Sequence, residues 1–100
     1  MSTLLLYEVV SDHAERRKPL REEHLRLVEE AHERGDLVLA GAHTDEAGTI
    51  EGAVLVFASD DFSIAEAFAR ADPYVTNGLV TRYRVRKWSI VAGKLVQTPR

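Results

Sequence analysis

The chain has 100 residues, 45% hydrophobic and 29% charged, with a net charge of −3 and no cysteine. That suits one soluble globular domain over residues 1–100 and rules out disulfides, thiolate chemistry and cysteine-based metal sites. The interspersed charge gives no reason to expect nucleic acid or a membrane as partner.

Thr3 to Val10, rich in Leu, Val and Tyr, reads as a strand buried on both faces and interrupted only by Glu8. Its apolar run Leu4-Leu5-Leu6 has no basic lead and is too short for a signal peptide or a span, so the expected location is cytoplasmic. Asp12 to Lys18 is charged and reads as a solvated loop. Pro19 suits the start of a first helix, in which Leu20, His24, Leu27, Val28 and Ala31 share one face and the remaining positions are polar. Gly35 stops it. His24 therefore stands in the inward stripe where a hydrophobe is expected. The bland explanation is a half-buried imidazole bonded to a backbone carbonyl.

Leu37 to His43 is a second strand, in which Gly41 permits a bulge or the close approach of a ligand. A polar turn over 44–49 leads to a third strand, Ile50 to Ala58. Ser59-Asp60-Asp61 offers N-caps for a second helix from Phe62 to Ala71. The line Ile64, Phe68 arrives at Asp72, a second polar residue at an apolar position. Pro73 disfavours helical geometry at Asp72, so the acid belongs at or just past the helix end, and Asn77-Gly78 resets the chain. Read by itself, Asp72 is a solvated helix-terminal acid before a turn. In the last strand Leu79, Thr81, Tyr83 and Val85 alternate with Arg82, Arg84, Arg86 and Trp88. Such an arginine row can bind phosphates or carboxylates, but more often it is a solvated or dimer-lining face. The tail from Val91 is a short strand or a loose end.

The order β-α-β-β-α-β predicts an α+β, ferredoxin-like sandwich, a four-stranded antiparallel sheet with both helices on one face. The first and third strands are apolar on both sides, and no helix remains to cover the second face. A homodimer packed sheet to sheet is the expected solution. The four histidines, His13, His24, His32 and His43, lack ligand-like spacing, and no glycine-rich phosphate loop follows a strand. No metal or other cofactor is expected.

Arg21-Glu22-Glu23-His24-Leu25, Ala40-Gly41, Ala71-Asp72-Pro73-Tyr74 with Gly78-Leu79, and the closing Val85-Arg86-Lys87-Trp88 resemble the YCII-related (YciI-like) proteins of the dimeric α/β-barrel superfamily. The resemblance runs from Leu4 to Trp88, and the R-x-x-H-L and D-P-Y elements together are its specific part. It implies a dimeric fold of this kind, with His24 and Asp72 as a catalytic pair in a pocket near the helix ends. Arg21, Gly41 and Tyr74 match further recurring positions. Where the family commonly has proline after the glycine this chain has Ala42, followed by His43 at the expected pocket rim. One branch of the family resembles dehydrochlorinases of chlorinated hydroxyhydroquinones; superfamily relatives include muconolactone isomerases and cofactor-free monooxygenases.

An aspartate that fixes the tautomer of a histidine leaves the other ring nitrogen free to move a proton. With no nucleophile motif in view, proton transfer is the expected chemistry, on a small anionic or phenolic molecule held by Arg21. Two other readings fit the same residues. One is a non-catalytic binding module whose histidine is structural. The other is a purely structural dimer, which would have no cavity at the Asp72 turn.

Overall fold

The computed structural model describes residues 2–93. Strand β1 (Ser2–Val9) is followed by a short helix α1 (His13–Arg16), a 3₁₀ turn (Lys18–Leu20) and helix α2 (Arg21–Glu33). A hairpin of β2 (Leu37–Thr44) and β3 (Ile50–Phe57) leads to α3 (Phe62–Ala71), the single-turn α4 (Pro73–Thr76) and β4 (Val80–Trp88). The four strands form an open sheet in the order β2-β3-β1-β4, antiparallel at every junction. This is the α+β arrangement that the element order predicts. Among the described residues no helix is long and apolar enough to cross a membrane.

Strand periodicity divides the sheet into two unlike faces. Thr3, Leu5 and Tyr7 of β1 are buried, and their register partners Phe57 and Leu55 are buried beside them. The helices cover this face, contributing Ala31, Ala65, Phe68 and Ala69 to one core cluster. Phe57 and Phe68 meet edge to face at 5.6 Å between ring centres, a geometry that adds about 1 kcal/mol to the burial itself. The other face carries Leu4, Leu6, Val54 and Val56, flanked by Leu39, which is 44% exposed, and by Trp88. Arg82, Arg84 and Arg86 share this uncovered face as partners of Glu8, Leu6 and Leu4.

Helix α2 ends on the two bonds of a Schellman motif, Asp36 N–H to the Ala31 carbonyl and Gly35 N–H to the His32 carbonyl, both at 3.0 Å. Helix α4 ends the same way, with Leu79 N–H on the Tyr74 carbonyl and Gly78 at φ +80°. Only glycine adopts that conformation without strain, and here it lets the chain turn directly from the Asp72 corner into β4.

Two expectations require correction. Asp12 to Lys18 is not a solvated loop: it contains α1, and His13 is 5% exposed. The alternation in β4 is also broken. Glu8 pairs with Arg82 but Val9 with Val80, so Thr81 is an extra residue, exposed and bonded through its hydroxyl to the Glu8 carbonyl. Val80, not Thr81, joins the core. A bulge of this kind swings the strand end toward the helices and changes which side chains face inward. The expectation for the tail falls partly on residues 94–100, outside the described residues.

Candidate active site

Pro73 shapes the site by restricting the residue before it. Asp72 lies in extended geometry (φ −72°, ψ 122°), closing α3 and opening α4. Its carboxylate caps α4 by accepting from Tyr74 N–H at 3.0 Å. The same oxygen, Oδ1, lies 2.8 Å from His24 Nδ1, and Oδ2 accepts from the Tyr7 hydroxyl at 2.7 Å. The solvated acid suggested by local spacing is thus fully buried, at 0% exposure, and bonded through both oxygens. Three elements converge on it: β1 through Tyr7, α2 through His24, and α4 through its own cap. Three donors fix the carboxylate plane, so the group cannot rotate without breaking at least one bond.

His24 comes from the first turns of α2 and lies flat on the Tyr74 ring, 3.9 Å between ring centres with 10° between planes. Held on one side by this stack and at Nδ1 by Asp72, the imidazole has a fixed orientation. With Nδ1 carrying the proton that Asp72 accepts, Nε2 is the nitrogen available to a bound molecule. The Tyr7 phenol is pushed far up by burial first and by the neighbouring Asp72 charge second, so it acts only as a donor.

His24 is on the wall of a cavity of about 230 Å³. That is just under the roughly 300–1,000 Å³ of drug-sized sites, a volume for a molecule of one ring. Its floor is the sheet, where Ala40, Ala42 and Ala53 leave room that larger residues would fill, and its side includes Leu25 and Val28 of α2. Its polar lining residues are Tyr7, His13, Arg17, Arg21, His24 and Tyr74. Arg21 is exposed and Arg17 half-buried. The two guanidiniums give the cavity a positive rim in a chain of net negative charge. Burial raises the Tyr74 hydroxyl, and Arg17 and Arg21 oppose that shift. Arg17 acts there through charge, and Arg21 through charge and a side-chain contact with the Tyr74 hydroxyl. His13 is held below its ordinary range by burial, then by the charges of Arg17 and His24.

Of the residues singled out from sequence, His24, Arg21, Gly41 and Tyr74 line the cavity, and Asp72 sits behind His24 as its anchor. His43 is elsewhere. It pairs with Gly52 on the uncovered side of the sheet, and its imidazole packs where a Gly52 side chain would be. Strand alternation turns it away from the pocket rim expected from its place in the sequence. Tyr7, His13 and Arg17 were not anticipated. His13, Arg17 and Arg21 recur every fourth residue and lead into His24, a helical line running through a segment whose composition looked like loop. Among the described residues no group of three or more His, Asp or Glu side chains is placed to hold a metal ion.

A structural dimer without a ligand had no need of a cavity at the Asp72 turn, and one is present there. The fold is shared with 5-chloro-2-hydroxyhydroquinone dehydrochlorinase (TftG) from Burkholderia phenoliruptrix AC1100, solved in complex with 2,5-dihydroxybenzoquinone. The TM-score is 0.71 at 17% identity, covering 89% of this chain and 94% of that one. Rv0793 from Mycobacterium tuberculosis aligns at a TM-score of 0.48 and 15% identity, over 92% and 95% of the two chains. No curated protein matches the sequence. The model of the YCII-related domain matches residues 1–89, nearly the whole of the described structure. The chain belongs to the YCII-related family.

Proposed function

We propose that this protein is a small cytoplasmic enzyme that moves protons on a single-ring anionic or phenolic molecule, with His24 as general base and acid. The observation that carries this reading is the His24 Nδ1–Asp72 Oδ1 contact of 2.8 Å on the wall of a cavity rimmed by Arg17 and Arg21. In the proposed reaction Nε2 takes a proton from a hydroxyl or an activated C–H of the ligand. The imidazolium that forms is paired with a carboxylate already fixed in place. The electron pair left on the ligand moves into the ring. It either expels a leaving group such as halide, which departs with its bonding pair once the carbon bearing it has been protonated and a second hydroxyl proton removed, or receives the proton back at another atom. The first course is an elimination and the second an isomerisation. Arg17 and Arg21 offset the negative charge that develops on the ligand oxygen.

The fold shared with a dehydrochlorinase makes 5-chloro-2-hydroxyhydroquinone the first compound to assay, by chloride release, followed by lactones for isomerisation. Catalysis by the wild type that falls about 100-fold or more in His24→Gln is the expected result, within the range general acid/base groups supply. A wild type that binds these compounds without turning any of them over would move the assignment to a binding module. Full activity in His24→Gln would remove His24 from the chemistry.

The same reading includes a homodimer formed through the uncovered sheet face, where Leu4, Leu6, Val54 and Leu39 lie side by side. Sedimentation of the wild type as a dimer and of Leu6→Asp as a monomer is the expected pair of results. A monomeric wild type at micromolar concentration would refute that part.

A further inference from the structure

The arginines and lysine between Asp12 and Arg21 are of two kinds. Arg16 lies 3.9 Å from Asp12 and Lys18 lies 3.0 Å from Glu15, and both stand outside the cavity lining. Arg17 and Arg21 line the cavity, and among the described residues neither forms an ion pair. Arg21 is exposed, yet its side chain contacts the hydroxyl of buried Tyr74, which ties the guanidinium to the cavity wall. That contact leaves most of its five N–H donors open. Arg21 also stands one turn before His24 on α2, at a spacing that puts their Cβ atoms about 5–6 Å apart. Two guanidiniums without a carboxylate partner, at the rim of a cavity for one ring in a chain of net charge −3, call for an anion.

We propose that Arg17 and Arg21 hold a carboxylate carried by the bound ring, so that this site takes single-ring carboxylic acids. The proposal rests on the cavity being the ligand site of the reading above, and it adds a class of ligand distinct from phenols and quinones. A phenol, which loses its proton near pH 10, is neutral at neutral pH and gives two guanidiniums no charge to meet before it reacts. A carboxylate is ionised well below neutral pH, and its two oxygens match the planar fork of a guanidinium. The balance of charge selects a monoanion. Arg17 and Arg21 at the rim and Asp72 behind His24 leave one positive charge in excess. A single carboxylate cancels that excess, whereas a phosphate ester carries nearly two negative charges at neutral pH. Held by the arginines, the carboxylate does not itself react; it orients the ring beside His24.

The test compares benzoate with benzamide, rings of like size that differ in charge. They are titrated by NMR at pH 7.5 and low salt into wild type, Arg17→Gln, Arg21→Gln and Arg16→Gln. Benzoate should bind the wild type about 10-fold or more tightly than benzamide, as charge-assisted hydrogen bonds allow. That preference should fall to about 3-fold or less in Arg17→Gln and in Arg21→Gln. Arg16→Gln removes the same charge from a side chain outside the cavity and should leave the preference intact. Phenyl phosphate, mostly a dianion at this pH, should bind no more tightly than benzoate. Equal affinities for benzoate and benzamide in the wild type, or no binding of either, would overturn the proposal. So would a preference that survives both Arg17→Gln and Arg21→Gln, one that falls as far in Arg16→Gln, or tighter binding of phenyl phosphate. His24→Gln separates the two readings: it should abolish turnover and leave the benzoate preference in place. Retained turnover there would sink the proton-transfer reading and leave this one standing. A benzoate preference that vanishes there would put the anion on His24 and overturn this one.

Discussion

Buried polar groups beside the cavity are treated in opposite ways. Asp72 is sealed at 0% exposure and bonded to Tyr7, His24 and its own helix through both oxygens. Tyr74, stacked on His24, and His13, edge-on to Tyr74, are nearly as buried, and among the described residues the Tyr74 hydroxyl and His13 Nδ1 have no hydrogen bond of good geometry. A bonded carboxylate holds the fold together and fixes the orientation of the His24 ring in the same act. A buried hydroxyl or imidazole nitrogen without a good hydrogen bond costs stability. Substitutions at Asp72 and its partners should therefore separate in their effect on stability from substitutions at His13 and Tyr74.

The largest effect is expected at Asp72. Replacement by alanine leaves the Tyr7 hydroxyl and the Tyr74 N–H buried without an acceptor and opens a void, so unfolding free energy should drop by about 3–4 kcal/mol. Urea denaturation reads this directly, and a loss under about 1 kcal/mol would mean that the three bonds are not worth their burial. Tyr7→Phe is the milder probe. It removes one of the bonds to Asp72 and keeps the ring, and it should cost about 1.5 kcal/mol, as a hydrogen bond to a charged acceptor does. If the role of Tyr7 is to hold the carboxylate still, the NMR tautomer signature of His24, with the proton on Nδ1, should blur in the same variant.

How much of this was open to a reader of the sequence depended on whether a residue broke a pattern. His24 and Asp72 each interrupt an apolar helical line, and their meeting follows once both helices pack on one sheet face. Tyr7 broke nothing, because an aromatic in an apolar strand is what strands contain; its hydroxyl needed a partner, but no local rule says which. His13 and Arg17 were hidden by the charge density of their segment, although four-residue spacing carried them onto the wall that Arg21 and His24 share. The cavity itself was not legible. It exists because Ala40, Ala42 and Ala53 are small where three elements meet, and absent volume has no periodicity. The bulge at Thr81 was masked by an alternation that looked regular until pairing with β1 displaced it.

Smaller effects belong to His13 and Tyr74. His13 has a lowered affinity for protons when folded, because of burial, Arg17, His24 and Arg21, with Asp72 opposing them. In the unfolded chain it titrates near the ordinary histidine value of about 6.5. As pH falls below that value the unfolded state takes up a proton that the folded state refuses, so stability should decline on acidification. The part of the decline due to His13 is the part that disappears in His13→Leu when denaturation midpoints are compared between pH 7.5 and 5.5. Identical slopes in the two proteins would mean that His13 titrates alike folded and unfolded.

The smallest change is expected from Tyr74→Phe, and its smallness is the point. Most deletions of a buried tyrosine hydroxyl break a bond and destabilise. Here, among the described residues, the hydroxyl has no hydrogen bond of good geometry to lose, and the stack on His24, the edge contact with His13 and the backbone bond to Asp72 all survive. Stability should be unchanged or should rise by up to about 1 kcal/mol, as the cost of an unsatisfied buried group is relieved. A fall of 1 kcal/mol or more would show that the hydroxyl is bonded within the free protein, through a water or through Arg21. In that case Tyr74 would be held through its hydroxyl as Asp72 is held through its carboxylate, and the contrast between them would close.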